Sequence, residues 1–285
     1  MLQERGLTVS KRIYSKSQRL NRLRRLELKT EKLLTGSVYS RHDGIPGFDQ
    51  AIYSKSEIAF VGAGGLNGES GEGTTRKGIG AAHFLDGDPV EVSNLNRQYF
   101  GEKDVGKNKA IQLIRNLQKL GFMGTRLIAS PLFFQEAIEL GLEIKPDIIV
   151  CGVDNNPTRV FVSRYALERN IPVIFSAVSR DGNQGYVFVQ VPAGPCFGCA
   201  FPDAINDHEY PCPGTPAIKD ILKVVAGFVL YAIDTVILQR KRNWNYRMIQ
   251  LAGFMDDDKR TLTLKPDCPL CSPIRSTGVT SHGLV

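Results

Sequence analysis

The feature that most constrains this chain is a short apolar run, Glu57-Ile-Ala-Phe-Val61, that stops on glycines, Gly62-Ala-Gly64-Gly65-Leu66-Asn67. Five apolar-rich residues closed by glycine are the pattern of a strand buried on both faces and turned sharply at its end. Similar runs follow at Ala82–Leu85, Arg126–Ala129, Asp147–Cys151 and Pro172–Phe175, with helix-like segments near 103–120, 133–141 and 156–170 between them. Strands alternating with helices imply a parallel sheet covered on both faces. In such a sheet the ligand crevice lies at the carboxyl ends of the strands.

The pattern changes after residue 184. Gln184–Val191 alternates like a half-buried strand, 217–240 reads as a long apolar helix, and 246–251 and 260–264 read as two more strands. The expected fold is therefore α/β: a doubly wound, Rossmann-like, mostly parallel sheet with antiparallel C-terminal strands. The longest strongly apolar stretch, Val224 to Ile233, has ten residues, too few to span a bilayer. Residues 1–10 show no secretory h-region, so we expect a cytoplasmic protein with no membrane partner.

Charge is unevenly placed. Residues 11–34 hold nine basic and two acidic side chains, an excess equal to the whole-chain net charge of +7. Leu20, Leu23, Leu26, Leu33 and Leu34 lie near helical spacing. We expect a basic helical arm over 1–37 and one domain over 38–285. A solvated arm is favoured over a nucleic-acid footprint.

The glycine turn alone suits any phosphate, because its amides can approach one closely at the positive end of the next helix. Asp86, in Leu85-Asp86-Gly87-Asp88, ends the second strand, where an acid accepts ribose hydroxyls. The following polar segment, Glu91-Val-Ser93-Asn94-Leu-Asn96-Arg97-Gln98, and then Lys107-Asn108-Lys109 narrow the choice. Hydride transfer needs no such cluster, whereas splitting a triphosphate does. Arg97 and Lys109 can neutralise charge on departing pyrophosphate, and Asn94 and Gln98 can donate neutral hydrogen bonds. Asp154 follows the fourth strand into the same crevice and suits Mg2+.

Six cysteines are present, four of them as Cys196-Phe-Gly-Cys199 and Cys268-Pro-Leu-Cys271. Two knuckles of this spacing supply the four thiolates of a closed, structural Zn2+ site, a four-cysteine zinc knuckle. Cys151 ends an apolar strand and reads as a packing residue. His83 and Trp244 likewise read as core or surface residues.

This combination resembles the ThiF-type adenylyltransferase family, which includes ubiquitin-activating enzymes and the sulfur-carrier adenylyltransferases of molybdopterin and thiamine synthesis. The resemblance covers about residues 38–275. It rests on the Gly62-to-Asp86 spacing, Ser93-Asn-Leu-Asn-Arg-Gln98, Asp154-Asn155 with Arg159, and Tyr39-Ser40-Arg41 with Gly47-Phe48-Asp49. It implies adenylation, with ATP, of the C-terminal carboxylate of a ubiquitin-like or sulfur-carrier protein ending in glycine. It also implies a homodimer in which Arg41 reaches the partner's ATP site. The turn residues Gly62, Gly64, Gly65, Leu66 and Asn67 would line the nucleotide together with Asp86, Asp88, Asn94, Arg97, Gln98, Lys109, Asp154 and Asn155.

Cys212, in a proline-rich loop before the long helix, would accept the activated acyl group as a thioester, with a conjugating enzyme or sulfur donor downstream. It is otherwise an ordinary loop cysteine in an enzyme that stops at the adenylate. Adenylation of a peptide C-terminus or a modified tRNA base, and a non-catalytic nucleotide-binding scaffold, are the competing readings. Arg180, Asp181 and Gln184 could guide a carrier tail. One departure stands out: Asn67 occupies the family's third glycine position, and Gly68, Glu69, Gly71, Glu72 and Gly73 follow. Each interior glycine costs about 1 kcal/mol against alanine, which predicts an irregular first helical turn and weakened ATP binding.

Overall fold

A computed structural model describes residues 23–32, 38–207, 216–253 and 256–276. The elements in chain order are β1 (Leu26–Lys29), α1 (Gln50–Tyr53), β2 (Glu57–Val61), α2 (Gly65–Arg76), β3 (Ala81–Leu85), α3 (Lys109–Leu117), β4 (Arg126–Ser130), α4 (Phe134–Glu139), β5 (Ile148–Cys151), α5 (Asn156–Glu168), β6 (Val173–Val178), β7 (Gln184–Gln190), α6 (Phe197–Ala200), α7 (Lys219–Ile237), β8 (Tyr246–Gln250), β9 (Asp258–Arg260) and α8 (Ser272–Ser276).

Among the described residues the strands form one sheet in the order β1-β4-β3-β2-β5-β6-β7-β8-β9. The five strands from β4 to β6 are mutually parallel, while β1, β7, β8 and β9 join antiparallel. The expected fold class is thus observed. The strand order reverses between β2 and β5, so the crevice of such a sheet opens there. Helices α2, α3 and α7 share one apolar core with one sheet face, and α4 and α5 share another with the opposite face. No helix among the described residues is long and apolar enough to cross a membrane.

Two expectations need correction. Residues 26–29 are not helical. They form β1, with Leu26 opposite Ala129 and Lys29 opposite Arg126. Leu26 and Leu28 turn toward the core, Glu27 faces out, and the Glu27 carboxylate pairs with Arg126 at 3.0 Å. A period of two overrides the looser leucine spacing because the edge of β4 offers a ready backbone partner. Residues 1–22 and 33–37 of the expected helical arm lie outside the described residues.

The first turn after the glycine loop is also regular. Helix α2 starts at Gly65, with Gly64 as its N-cap and the Gly68 amide 2.8 Å from the Gly64 carbonyl. Its glycines serve packing. A Cβ at Gly71 would come within 2.6 Å of the Phe84 ring, and one at Gly73 within 2.5 Å of Leu230 on α7. Close approach to β3 and α7 offsets the poor helix propensity. Two further differences remain: α3 occupies only Lys109–Leu117 of the expected 103–120, and β9 covers Asp258–Arg260, meeting the expected strand over 260–264 only at Arg260.

Candidate adenylation site

The site is built where β2, β3 and β5 end. Gly62 leaves β2 with φ +92, a backbone state that glycine adopts without strain. A Cβ there would meet Val153, after β5, at 3.3 Å, so the loops after β2 and β5 touch. Above Gly64 a Cβ would meet nothing within 4 Å. The first-turn amides of α2 receive no side-chain cap. An open helix N-terminus of this kind fits an anion.

Asp86 closes the turn from the β3 side. Its Oδ2 accepts the Ala63 amide at 2.7 Å and its Oδ1 accepts the Asp88 amide at 2.8 Å. Burial pushes its carboxyl up to about 6, against the pull of Lys109. Each oxygen keeps a lone-pair direction free of these amides, the capacity that ribose hydroxyls need. The Lys109 ammonium, only 14% exposed, is 3.0 Å from Asp88 Oδ2. Asn108 locks the segment after β3 to α3: its Nδ2 donates to Asp86 O at 2.8 Å and Asp88 O at 3.3 Å, and its Oδ1 caps the Ile111 amide.

Asn67 is fully buried and points inward. Its Nδ2 donates to Val61 O at 2.8 Å and Gly62 O at 2.9 Å. A Cβ at Gly152 would lie 2.5 Å from its Oδ1, so glycine is required there. The side chain replacing the family's third glycine therefore fastens the start of α2 to the end of β2 and packs against Gly152 after β5, on the buried side of the turn.

Asp154 is exposed beside Val153, and Asn155 caps α5 by accepting the Thr158 amide at 2.9 Å. Arg159 reaches back to the Val153 carbonyl at 2.7 Å, holding the backbone that presents Asp154. A lone carboxylate next to a phosphate-binding turn fits Mg2+, which takes one or two carboxylates and completes its shell with phosphates and water.

The structure thus brings Gly62–Gly65, Asp86, Asp88 and Lys109 together, with Asp154 on the loop whose Val153 packs on Gly62, while the side chains of Asn67 and Asn155 serve the buried end of β2 and the start of α5. It does not place every expected donor on the turn. Asn94 is buried, and its Oδ1 accepts the Glu91 amide at 3.0 Å, so its amide shapes its own turn. The Arg97 guanidinium bonds the Ser93 carbonyl at 2.6 Å and Asn96 at 3.1 Å. Gln98 lies beside them, its Oε1 buried without a partner among the described residues.

Arg41 is exposed in a turn whose Tyr39 packs on Gly78, just past the far end of α2. A helix of 12 residues is about 18 Å long, so Arg41 is remote from its own glycine turn. Cys212 lies outside the described residues. Asp181 accepts the Ser179 hydroxyl and the Asn183 amide, and the Ser179 contact holds its carboxyl below the usual range; it caps the hairpin joining β6 to β7.

The four paired cysteines converge, all buried, with their sulfurs within 4.8 Å of one another. The Sγ separations are 3.7 Å for Cys196–Cys199, 3.5 Å for Cys196–Cys268 and 3.7 Å for Cys199–Cys271. Thiolates at about 2.3 Å from a tetrahedral Zn2+ stand about 3.8 Å apart, so the set fits that ion. The first knuckle is fastened to the sheet domain. The Phe197 amide donates to Gln190 Oε1 at 3.0 Å, and Ser163 Oγ donates to the same oxygen at 2.6 Å.

Cys151 is buried, its thiol pushed up to about 12 by burial, as a packing role demands. His83 is equally internal, 2.8 Å from Ser130 Oγ and pushed down to about 4 by burial. Sequence reasoning missed Asn108, whose cap signature was legible just before α3.

A family model described as the ThiF family matches residues 39–272. The chain is 30% identical over 232 residues to the sulfur carrier protein adenylyltransferase of Thermus thermophilus, covering 78% of this chain and 84% of that one. It is 27% identical over 247 residues to the SAMP-activating enzyme E1 of Haloferax volcanii, covering 82% and 87%. The crystal structure of E. coli MccB with ATP superposes with a TM-score of 0.68 at 21% identity, covering 83% of this chain and 75% of that one. That likeness speaks to the fold.

Proposed function

The chain belongs to the ThiF family, and from that premise we propose that it adenylates the C-terminal carboxylate of a ubiquitin-like or sulfur-carrier protein ending in glycine, with ATP as co-substrate. The observation that carries this reading is the meeting of the uncapped α2 turn, Asp86 and Lys109 at the β2–β5 reversal. In this reading the α2 amides and Lys109 hold phosphates, Asp86 holds the ribose, and Asp154 holds Mg2+.

A carboxylate oxygen of the carrier attacks the α-phosphorus, the bond to the β-phosphate oxygen breaks, and pyrophosphate departs. The carboxylate is already a competent nucleophile, so positioning and charge neutralisation supply the catalysis. Magnesium would neutralise negative charge on the phosphates. Arg97 leaves its resting contact with Ser93 to reach them.

Arg41 serves the site of a second copy, a reading supported by its distance from its own glycine turn. Cys212 receives the acyl group as a thioester, releasing AMP, before a conjugating enzyme or sulfur donor takes over. The buried, unbridged thiols suit a reducing cytoplasmic setting.

The test is ATP–pyrophosphate exchange with labelled pyrophosphate and a panel of glycine-terminated carriers. Exchange must depend on the carrier and vanish when its last glycine is removed. No exchange with any carrier, or exchange without one, defeats the reading. A conjugate cleaved by thiols and absent from Cys212→Ala, with exchange preserved, supports the thioester step.

A further inference from the structure

Lys219 is the first residue of α7. A cation there opposes the helix dipole, so its place is set by partners and not by local preference. Its ammonium pairs with the Glu69 carboxylate of α2. It lies 4.6 Å from the centre of the Tyr99 ring. It also donates to the carbonyl of Arg97 at 3.2 Å.

Tyr99 closes the group, its hydroxyl donating to Glu69 Oε2 at 3.1 Å. Glu69 is 8% exposed, and a carboxylate so buried requires compensation. Tyr99 packs tightly over Gly68: a Cβ there would sit 3.2 Å from the ring, close enough to push it back. One ammonium therefore joins three elements at the crevice: the second turn of α2, the segment that carries Arg97, and the start of α7.

We propose that Lys219 is a positioning residue for adenylation, fixing the Arg97 backbone against α2 so that the guanidinium swings from Ser93 onto the departing pyrophosphate. The inference rests on the adenylation reading and adds a residue to it. Arg97 has a resting contact within its own turn. Its reach is then governed by where its backbone is held, and Lys219 and Tyr99 hold it. The same contact compensates the charge of the Glu69 carboxylate, one turn along α2 from the glycine turn.

The experiment measures carrier-dependent ATP–pyrophosphate exchange and melting temperature in the full chain. The variants are Lys219→Met, Lys219→Arg, Glu69→Gln/Lys219→Met, Arg97→Ala and Lys219→Met/Arg97→Ala. The Glu69→Gln/Lys219→Met pair removes both charges and carries the test if Lys219→Met alone folds poorly. Displacing a catalytic group by 1 Å costs about 100-fold, and a smaller shift should lower kcat about 10-fold while the ATP KM stays nearly constant. Lys219→Arg restores most of the turnover. In the Arg97→Ala background Lys219→Met adds no further loss, because both changes act through one group.

An undiminished Lys219→Met loss in that background overturns the inference, as does a KM effect without a kcat effect. So does full activity of Lys219→Met beside a crippled Arg97→Ala. Full exchange by Arg97→Ala overturns the role of Arg97 itself, and the inference with it.

Discussion

Asp86→Asn should separate stability from function at the ribose end of the site. The Asp86 carboxyl is pushed from 3.8 up to about 6, chiefly by burial. A raised carboxyl pKa means that the folded protein holds the proton more tightly than the unfolded chain. The stability tied to that proton is fully present below about pH 4 and is lost as pH rises through about 6. The shift corresponds to about 3 kcal/mol at neutral pH.

Asparagine has no such ionisation. It also replaces one of the two acceptors for the Ala63 and Asp88 amides with an NH2 group, a change worth about 1–3 kcal/mol that does not vary with pH. Urea denaturation of both proteins at intervals from pH 4 to 8 should therefore show the parent losing about 2 kcal/mol relative to Asp86→Asn between pH 4 and 6, with a plateau above about pH 7. The amide mismatch sets the offset, and the slope isolates the ionisation. Exchange activity should move the other way, with the ATP KM of the parent rising below about pH 6 as the carboxylate that accepts ribose hydroxyls is protonated. A difference curve flat from pH 4 to 8 would refute the reasoning.

Two further changes probe the scaffold. Gly73→Ala gains about 1 kcal/mol of helix propensity but drives a methyl to within 2.5 Å of Leu230, so urea denaturation should show a net destabilisation of about 1–3 kcal/mol. A stabilised variant would show that α2 and α7 are not in close contact. Protein purified without chelator should carry one zinc per chain by atomic emission. Cys268→Ala should lose that metal and melt at a lower temperature, whereas a metal-free parent of equal stability would argue for four plain thiols.

Much of this protein is legible from local pattern because buried parallel strands are apolar throughout. The runs at 57–61, 82–85, 126–129, 147–151 and 172–175 each fall on an observed strand to within three residues. The acid at the end of β3 and the paired cysteines were legible for the same reason, since their chemistry depends on spacing along the chain. Leu26–Lys29 was misread because leucine spacing over a long window hid a four-residue alternation. Helix α2 was misread because its glycines look like breakers until Phe84 and Leu230 are seen against them.

Sequence alone determined the alternation of strand and helix, the glycine turn with its acid, and the four-thiol metal set. Each follows from steric or coordination rules that act over a few neighbouring residues. The tertiary structure alone decided that Asn67 turns inward, that Asn94 serves its own turn, and that Lys219 meets Arg97 across 122 positions of chain. Such contacts draw on desolvation and packing between distant segments. Those energies exceed local propensities of a few tenths of a kcal/mol and leave no periodic trace along the chain.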